Sequence, residues 1–211
     1  ITNTSKTQPI RNIRILPPGG ICQNDPYTYV SDASRCHEAS SYLVYEKYYN
    51  SILFNPDYLN YIKDFQVIRF MGMSGITRNP AKHWSERPTL DKSSWGGTYG
   101  DREAPLEIQV ELANRLKVDA WFNLPHQADD EYVRNAALYI KENLDPTLKV
   151  YIEYTNEAWN TNFSHSEYTQ KKGIEARYSQ NSVEAGQEYY VVRSLEVFKI
   201  WDEVFGERKN K

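Results

Sequence analysis

The chain has 211 residues, of which 40% are hydrophobic and 25% charged, and its mean hydropathy is −0.73. That length can bury a sizeable core in one domain or two. The formal net charge is −3 with both signs spread along the chain and no basic block, which argues against a nucleic-acid partner. No apolar run is long enough to span a bilayer, and no charged-then-apolar leader is present. The chain opens on Ile1 without a Met, which fits a processed or partial product.

In chain order, residues 1–10 read as an irregular arm. Residues 11–16 alternate as a first strand, closed by Pro17-Pro-Gly-Gly20. Residues 21–41 form a polar loop that holds the two cysteines, Cys22 and Cys36. They either remain free thiols or close a 15-residue loop worth roughly 3 kcal/mol. A helix is expected over 39–49 and another over 56–63, the second opened by Asn55 as N-cap and Pro56 at the first helical position.

A second strand is expected over 65–71, and a long segment of little periodicity, 72–105, follows it. That segment carries His83, Trp84, Arg87 and Trp95. A loop of such length inside a compact domain is functional or disordered as a rule. The spacing predicts a helix over 106–116, with Ile108, Leu112 and Leu116 on one stripe, and a third strand over 120–125 that ends at His126. Asp129 or Asp130 caps the next helix, whose stripe is Val133, Ala137, Ile140 and Leu144. A fourth strand occupies 149–155. A long helix runs from about 183 to 205, with Val191, Leu195, Phe198 and Phe205 on one face.

Strand–helix alternation implies parallel strands joined by right-handed crossovers. Pattern alone allows a barrel or a doubly wound sheet. The polar residues Arg69, His126, Asn156 and Glu157 all fall at or near strand C-terminal ends, where barrel enzymes place their chemistry. The fold class expected is therefore α/β, a (β/α)8 TIM barrel of which the chain holds about the first four strand–helix units, as a single partial domain over 1–211.

The segment Lys149-Val-Tyr-Ile-Glu-Tyr-Thr-Asn-Glu-Ala-Trp-Asn160 carries the chemistry. A strand delivers an amide and a carboxylate at its end, followed by an indole. Such an acid can protonate a leaving glycosidic oxygen, the amide can hold a sugar hydroxyl, and the ring can stack on a sugar face. An aromatic content of 17 Tyr and 5 Trp on a polar chain suits carbohydrate recognition in bulk. The four histidines, at 37, 83, 126 and 165, show no paired spacing for a metal. No Gly-rich phosphate loop and no Gly-x-Ser-x-Gly motif occurs, so neither a cofactor nor a serine hydrolase is expected.

The motif Glu153-x-x-Asn156-Glu157 resembles strand four of the clan A glycoside hydrolases, the barrel enzymes that include the family 5 cellulases. Val67-Ile-Arg-Phe70 resembles their second strand, whose arginine, here Arg69, supports the catalytic carboxylates and is a natural partner for Glu153. His126 resembles the histidine after strand three that binds sugar hydroxyls. The aspartate expected two residues before it is replaced by Leu124, with Asn123 one position further back.

The resemblance makes Glu157 the general acid/base of a retaining hydrolysis and Asn156 the contact to the sugar 2-hydroxyl. Trp159 is the best candidate stacking platform, with Trp84 and Trp95 as further platforms and Arg87 as a hydroxyl contact in the wall formed by 72–105. Trp121 is a further candidate platform but lies inside a strand and so reads more readily as core, and Trp201 reads as packing. The family nucleophile lies on strand seven, beyond what this chain contains, so the chain reads as half of a longer enzyme, a half-barrel that needs a partner, or a derivative that kept the motif without the activity. The alternative function is a non-catalytic glycan-binding or structural module. Partners are then a carbohydrate and the remainder of the barrel. The resemblance also implies a secreted or extracellular protein, and so a joined Cys22–Cys36 pair. The triplets Asn3-Thr-Ser and Asn162-Phe-Ser are N-glycosylation acceptors if the source is eukaryotic.

Overall fold

The computed structural model describes residues 5, 7–9, 13–92, 95 and 104–207. The chain divides into two compact units, Ile1–Asp64 and Phe65–Lys211. It is an α/β protein with a small antiparallel sheet in the first unit and a three-stranded parallel sheet in the second. No closed barrel occurs among the described residues. None of the described helices is long and apolar enough to cross a membrane.

In the first unit, β1 (Gly20–Cys22) is flanked by β2 (Asp25–Val30) and β3 (Tyr42–Val44), both antiparallel to it. Gly20 pairs with Val44 across a contact that admits no side chain. A Cβ there would stand 2.0 Å from the Leu43 carbonyl oxygen. Sheet pairing therefore begins at Gly20, and not over 11–16 as the alternation suggests. Residues 13–16 belong to no strand, and Ile15 is 97% exposed. Period-two alternation makes a strand only where an edge is available to pair with.

The helix expected over 39–49 is divided for the same reason. Tyr42-Leu43-Val44 is taken by the sheet, so a 3-10 turn (Ala39–Ser41) precedes it and α1 (Tyr45–Ile52) follows. Ile21, Tyr45 and Ile52 form the small core, covered by Leu43 and Tyr48. Helix α2 (Pro56–Ile62) begins as its residues dictate. The Asn55 side chain accepts from the Asp57 amide at 2.8 Å, and Pro56 stands at the first turn. Cys22 and Cys36 are joined, with their Cα atoms 5.6 Å apart.

In the second unit β4 (Val67–Arg69), β5 (Asp119–Leu124) and β6 (Val150–Tyr154) lie side by side in chain order, with β5 central and both pairings parallel. The Phe70 amide adds one more bond, to the Trp121 carbonyl at 2.8 Å. Between them run α3 (Leu106–Leu116) and α4 (Asp130–Asn143), and after β6 come α5 (Ser164–Glu175) and α6 (Ser182–Phe205).

The strands set apolar side chains on one face, though Asn123 at the end of β5 is buried as well. Phe70, Ala120, Phe122, Leu124 and Tyr154 are buried, with the Phe70 and Phe122 rings stacked 5.2 Å apart. The opposite face presents Val67, Arg69, Trp121 and Tyr151 to solvent. Trp121 is thus an exposed sheet residue next to Tyr151 and not core, because its register with Arg69 and Tyr151 sets it on that second face. Trp201 is buried and stacks on Phe205, as expected.

Helix α4 opens on Asp129, whose carboxylate accepts from the Tyr132 amide at 2.8 Å, and Val133, Ala137, Ile140 and Leu144 are all buried. Helix α6 buries a different face from the one expected from Val191, Leu195 and Phe198. Ala185, Gly186, Arg193, Ser194, Val197, Ile200, Trp201 and Val204 face inward, while Leu195 is 62% exposed and Val191 and Phe198 lie beside it. The inward side is chosen by close approach and by charge. A Cβ on Gly173 of α5 would meet the Ala185 carbonyl oxygen at 2.0 Å. Arg193 donates to Asp130 at 2.6 Å, Glu196 at 2.8 Å and the Ala128 carbonyl at 2.9 Å. Helix α5 has no apolar stripe to announce it. Its buried residues are His165, Ser166, Thr169 and Gly173.

Candidate functional site

The C-terminal ends of β4, β5 and β6 converge on one hydrogen-bonded group. Arg69 Nη2 donates to Glu153 Oε2 at 2.7 Å and to Oε1 at 2.8 Å, and its Nε donates to Oε2 at 3.0 Å. The same Nη2 donates to Asn156 Oδ1 at 2.8 Å. Strand β5 contributes Asn123, whose Nδ2 donates to Glu153 Oε2 and to the Thr155 carbonyl, both at 2.8 Å. The Arg69 guanidinium also lies 5.2 Å from the Trp121 ring centroid. A planar fork, a carboxylate and two amides thus lock the strand ends together.

Asn156 is 2% exposed, held by this group. Glu157, the next residue, turns out to solvent with φ of +38°. Its carboxylate accepts from Asn160 Nδ2 at 3.1 Å, and its carbonyl from the Asn160 amide at 2.8 Å. Trp159 is 67% exposed on the same turn. The turn therefore presents a carboxylic acid and a free indole face next to an immobilised amide, an arrangement that can donate a proton and stack a ring.

The other expected site residues are placed elsewhere. His126 is buried, with its ring 5.1 Å edge-on from Tyr168 and 6.0 Å from His165. Its carbonyl accepts from the Tyr154 hydroxyl at 2.7 Å, and its Nδ1 has no partner among the described residues. Burial, aided by the neighbouring His165, pushes the His126 imidazole down to about 4. Burial also lowers His165, opposed by the backbone and carboxylate of nearby Glu157. The Tyr154 hydroxyl is pushed above the usual tyrosine range, by burial first.

Trp84 sits in a 3-10 turn (Trp84–Glu86) and meets the Tyr132 ring of α4 edge-on at 5.4 Å. Arg87 lies 4.3 Å above the Trp84 ring and donates to Glu107 of α3 at 2.9 Å. These two pack the 72–92 segment onto α3 and α4. Trp95 is half-buried, and residues 93–94 and 96–103 of the expected wall lie outside the described residues, as does Asn3. No group of three metal-ligating side chains occurs among the described residues.

No protein-family model, no curated protein and no solved structure matches the chain.

Sequence reasoning passed over three parts of this region. In the sequence Asn123 stands out only as a departure from the family pattern. Its role follows from standing opposite Glu153 in the β5–β6 register, and that spacing is countable once both strands are assigned. Tyr168 of α5 and Tyr190 of α6 carried no signal, because their helices place them. Tyr190 stacks on Tyr154 at 6.0 Å, and burial first, then the Glu153 carboxylate, pushes its hydroxyl up.

Proposed function

We propose that the chain forms part of a retaining glycoside hydrolase, with the three parallel strands belonging to a (β/α)8 barrel. The observation that carries this reading is the bridge from Arg69 to both Glu153 and Asn156, which leaves Glu157 presented at the strand end. Glu157 acts first as general acid toward the leaving oxygen and then as general base toward water. Asn156 orients the sugar at its 2-hydroxyl, and Trp159 stacks on a sugar ring. The nucleophile and the rest of the barrel come from sequence outside these 211 residues. The disulfide supports an extracellular site of action.

A second reading, a non-catalytic glycan-binding module, is favoured by one observation. Glu153 is taken up by Arg69 and Asn123, so Glu157 is the one carboxylate this strand end offers, and a single carboxylate beside an exposed indole suffices for binding but not for retaining hydrolysis.

The two separate in one experiment on the protein of native length. Reducing-end release from carboxymethylcellulose, xylan and mannan is measured for the wild type and Glu157→Gln, beside retardation of each in gels that contain the same polysaccharides. Release abolished by the substitution, with retardation kept, supports the hydrolase. Retardation without release by either protein supports the binding module. Release unaffected by Glu157→Gln, or neither effect in the wild type, overturns the proposal.

A further inference from the structure

We infer that Asn123 is a positioning residue that sets the Thr155–Glu157 turn, acting as a two-pronged donor between the β6 side chain Glu153 and the β6 main chain at Thr155. This deepens the hydrolase reading and rests on it for the role of Glu157. Both protons of its Nδ2 are spent, one on Glu153 Oε2 and one on the Thr155 carbonyl, each at 2.8 Å. Its Oδ1 is buried and accepts nothing among the described residues. The amide is thus used for its donors alone.

Those donors meet the chain at a point where it changes course. Thr155 is the residue after β6, fully buried, and Glu157 two positions on takes a left-handed φ. A backbone in that region persists only where its surroundings determine it. Two of those determinants are hydrogen bonds made to the two residues just before Glu157. Asn123 holds the Thr155 carbonyl, and Arg69 holds the Asn156 side chain. Glu153 joins the two, because its Oε2 accepts from Arg69 and from Asn123. Asn123 therefore fixes the direction in which Glu157 leaves the strand without approaching a ligand itself.

The chemistry makes a sharp prediction about two substitutions. Aspartate has the shape of asparagine but no donor, and it sets a second carboxylate against Glu153. Alanine removes the donors and leaves space. If donation is the role, Asn123→Asp is at least as damaging as Asn123→Ala. If shape is the role, Asn123→Asp is nearly silent and Asn123→Ala is not.

The test uses the protein of native length and two readouts. Amide hydrogen exchange over 155–160 should rise about tenfold or more in both variants, with the amides of α3 and α4 unchanged. On whichever polysaccharide the wild type cleaves, kcat should fall ~10–100-fold with KM within about twofold, as expected when a reacting group is misplaced by an ångström or less. If Asn123→Asp or Asn123→Ala does not fold, Asn123→Ser, which keeps one donor, is read in its place and should show the same split at smaller amplitude. Wild-type exchange over 155–160 in the donor-less variants, or an Asn123→Asp protein that behaves as wild type, overturns the inference. A wild type that cleaves nothing removes the kinetic arm together with the hydrolase reading. The exchange arm then still decides on Asn123.

Discussion

The Arg69 guanidinium reaches across the full width of the parallel sheet to grip the Glu153 carboxylate, from β4 over β5 to β6 and across 84 positions of sequence. The pair is only part-buried, with side-chain exposures of 32% and 19%. Solvent therefore screens it below the roughly 3–5 kcal/mol seen when a fully buried pair loses one partner. Arg69→Ala should lower unfolding free energy by about 1–3 kcal/mol. Arg69→Lys should recover little of this, because one ammonium cannot serve Glu153 and Asn156 with the same fork. Urea unfolding of the three proteins checks both statements.

Glu157 lies outside the locked group and faces solvent, so its substitution should be structurally silent. Glu157→Gln should leave the unfolding midpoint within about half a kcal/mol, as for surface changes in general. Any hydrolytic rate should fall ~10²–10⁴-fold. A variant that unfolds early would show that the carboxylate is structural, and the rate loss could not then be read as chemistry.

Acid should weaken the second unit through its paired imidazoles. His126 is held neutral, down to about 4 against 6.5 in the open chain. Between those values the unfolded chain binds the extra proton, so stability rises with pH there. The contribution is complete above about 6.5 and lost as pH falls toward 4. It amounts to at most about 3 kcal/mol for this residue, and His165 acts in the same direction. Unfolding midpoints at pH 7.5 and 4.5 should differ clearly in the wild type and less in His126→Phe. An unchanged difference would place the acid sensitivity elsewhere.

Much of the second unit was legible from the chain. Stripes of large apolar residues announced α3 and α4, and the cap residue Asp129, like Asn55 in the first unit, does what its type suggests. The Arg69–Glu153 contact was legible because two opposite charges stand at matching strand ends. What escaped depends on contact at very short range. Helix α5 packs by Gly173 and small polar groups, which leave no periodic mark. Helix α6 has apolar residues on two faces, and the stripe with Val191, Leu195 and Phe198 is the outward one, so apolar spacing alone misleads. In the first unit a 3-residue strand at Gly20–Cys22 is too short to carry a period at all.

The α5–α6 contact offers a direct check of that explanation. Gly173→Ala has no room for its methyl, since backbone and not a flexible side chain stands in the way. Overpacking of this kind costs typically about 1–3 kcal/mol, and α5 should separate from α6 before the sheet is disturbed. Proteolysis under native conditions should then cut between 164 and 180 in the variant and not in the wild type.

Reduction tests the first unit. With Cys22 and Cys36 joined, the denatured, unreduced protein should show no free thiol. Cys22→Ser with Cys36→Ser should lower stability by roughly 3 kcal/mol if loop closure in the unfolded chain is the main effect. Two titratable thiols without reductant would contradict the pairing.

The order of the parallel strands has a consequence for how the chain is made. Position in the sheet follows order of synthesis, so each new strand can be laid on the edge of the one before it without displacing anything. Arg69 nevertheless leaves the ribosome 84 residues ahead of Glu153. At translation rates of about 5–20 residues per second, the cation waits some 4–17 s before its carboxylate exists. Only late in that interval, once β5 has been made, does a nascent β4–β5 pair exist without its third strand, and whatever then associates with its open edge competes directly with β6.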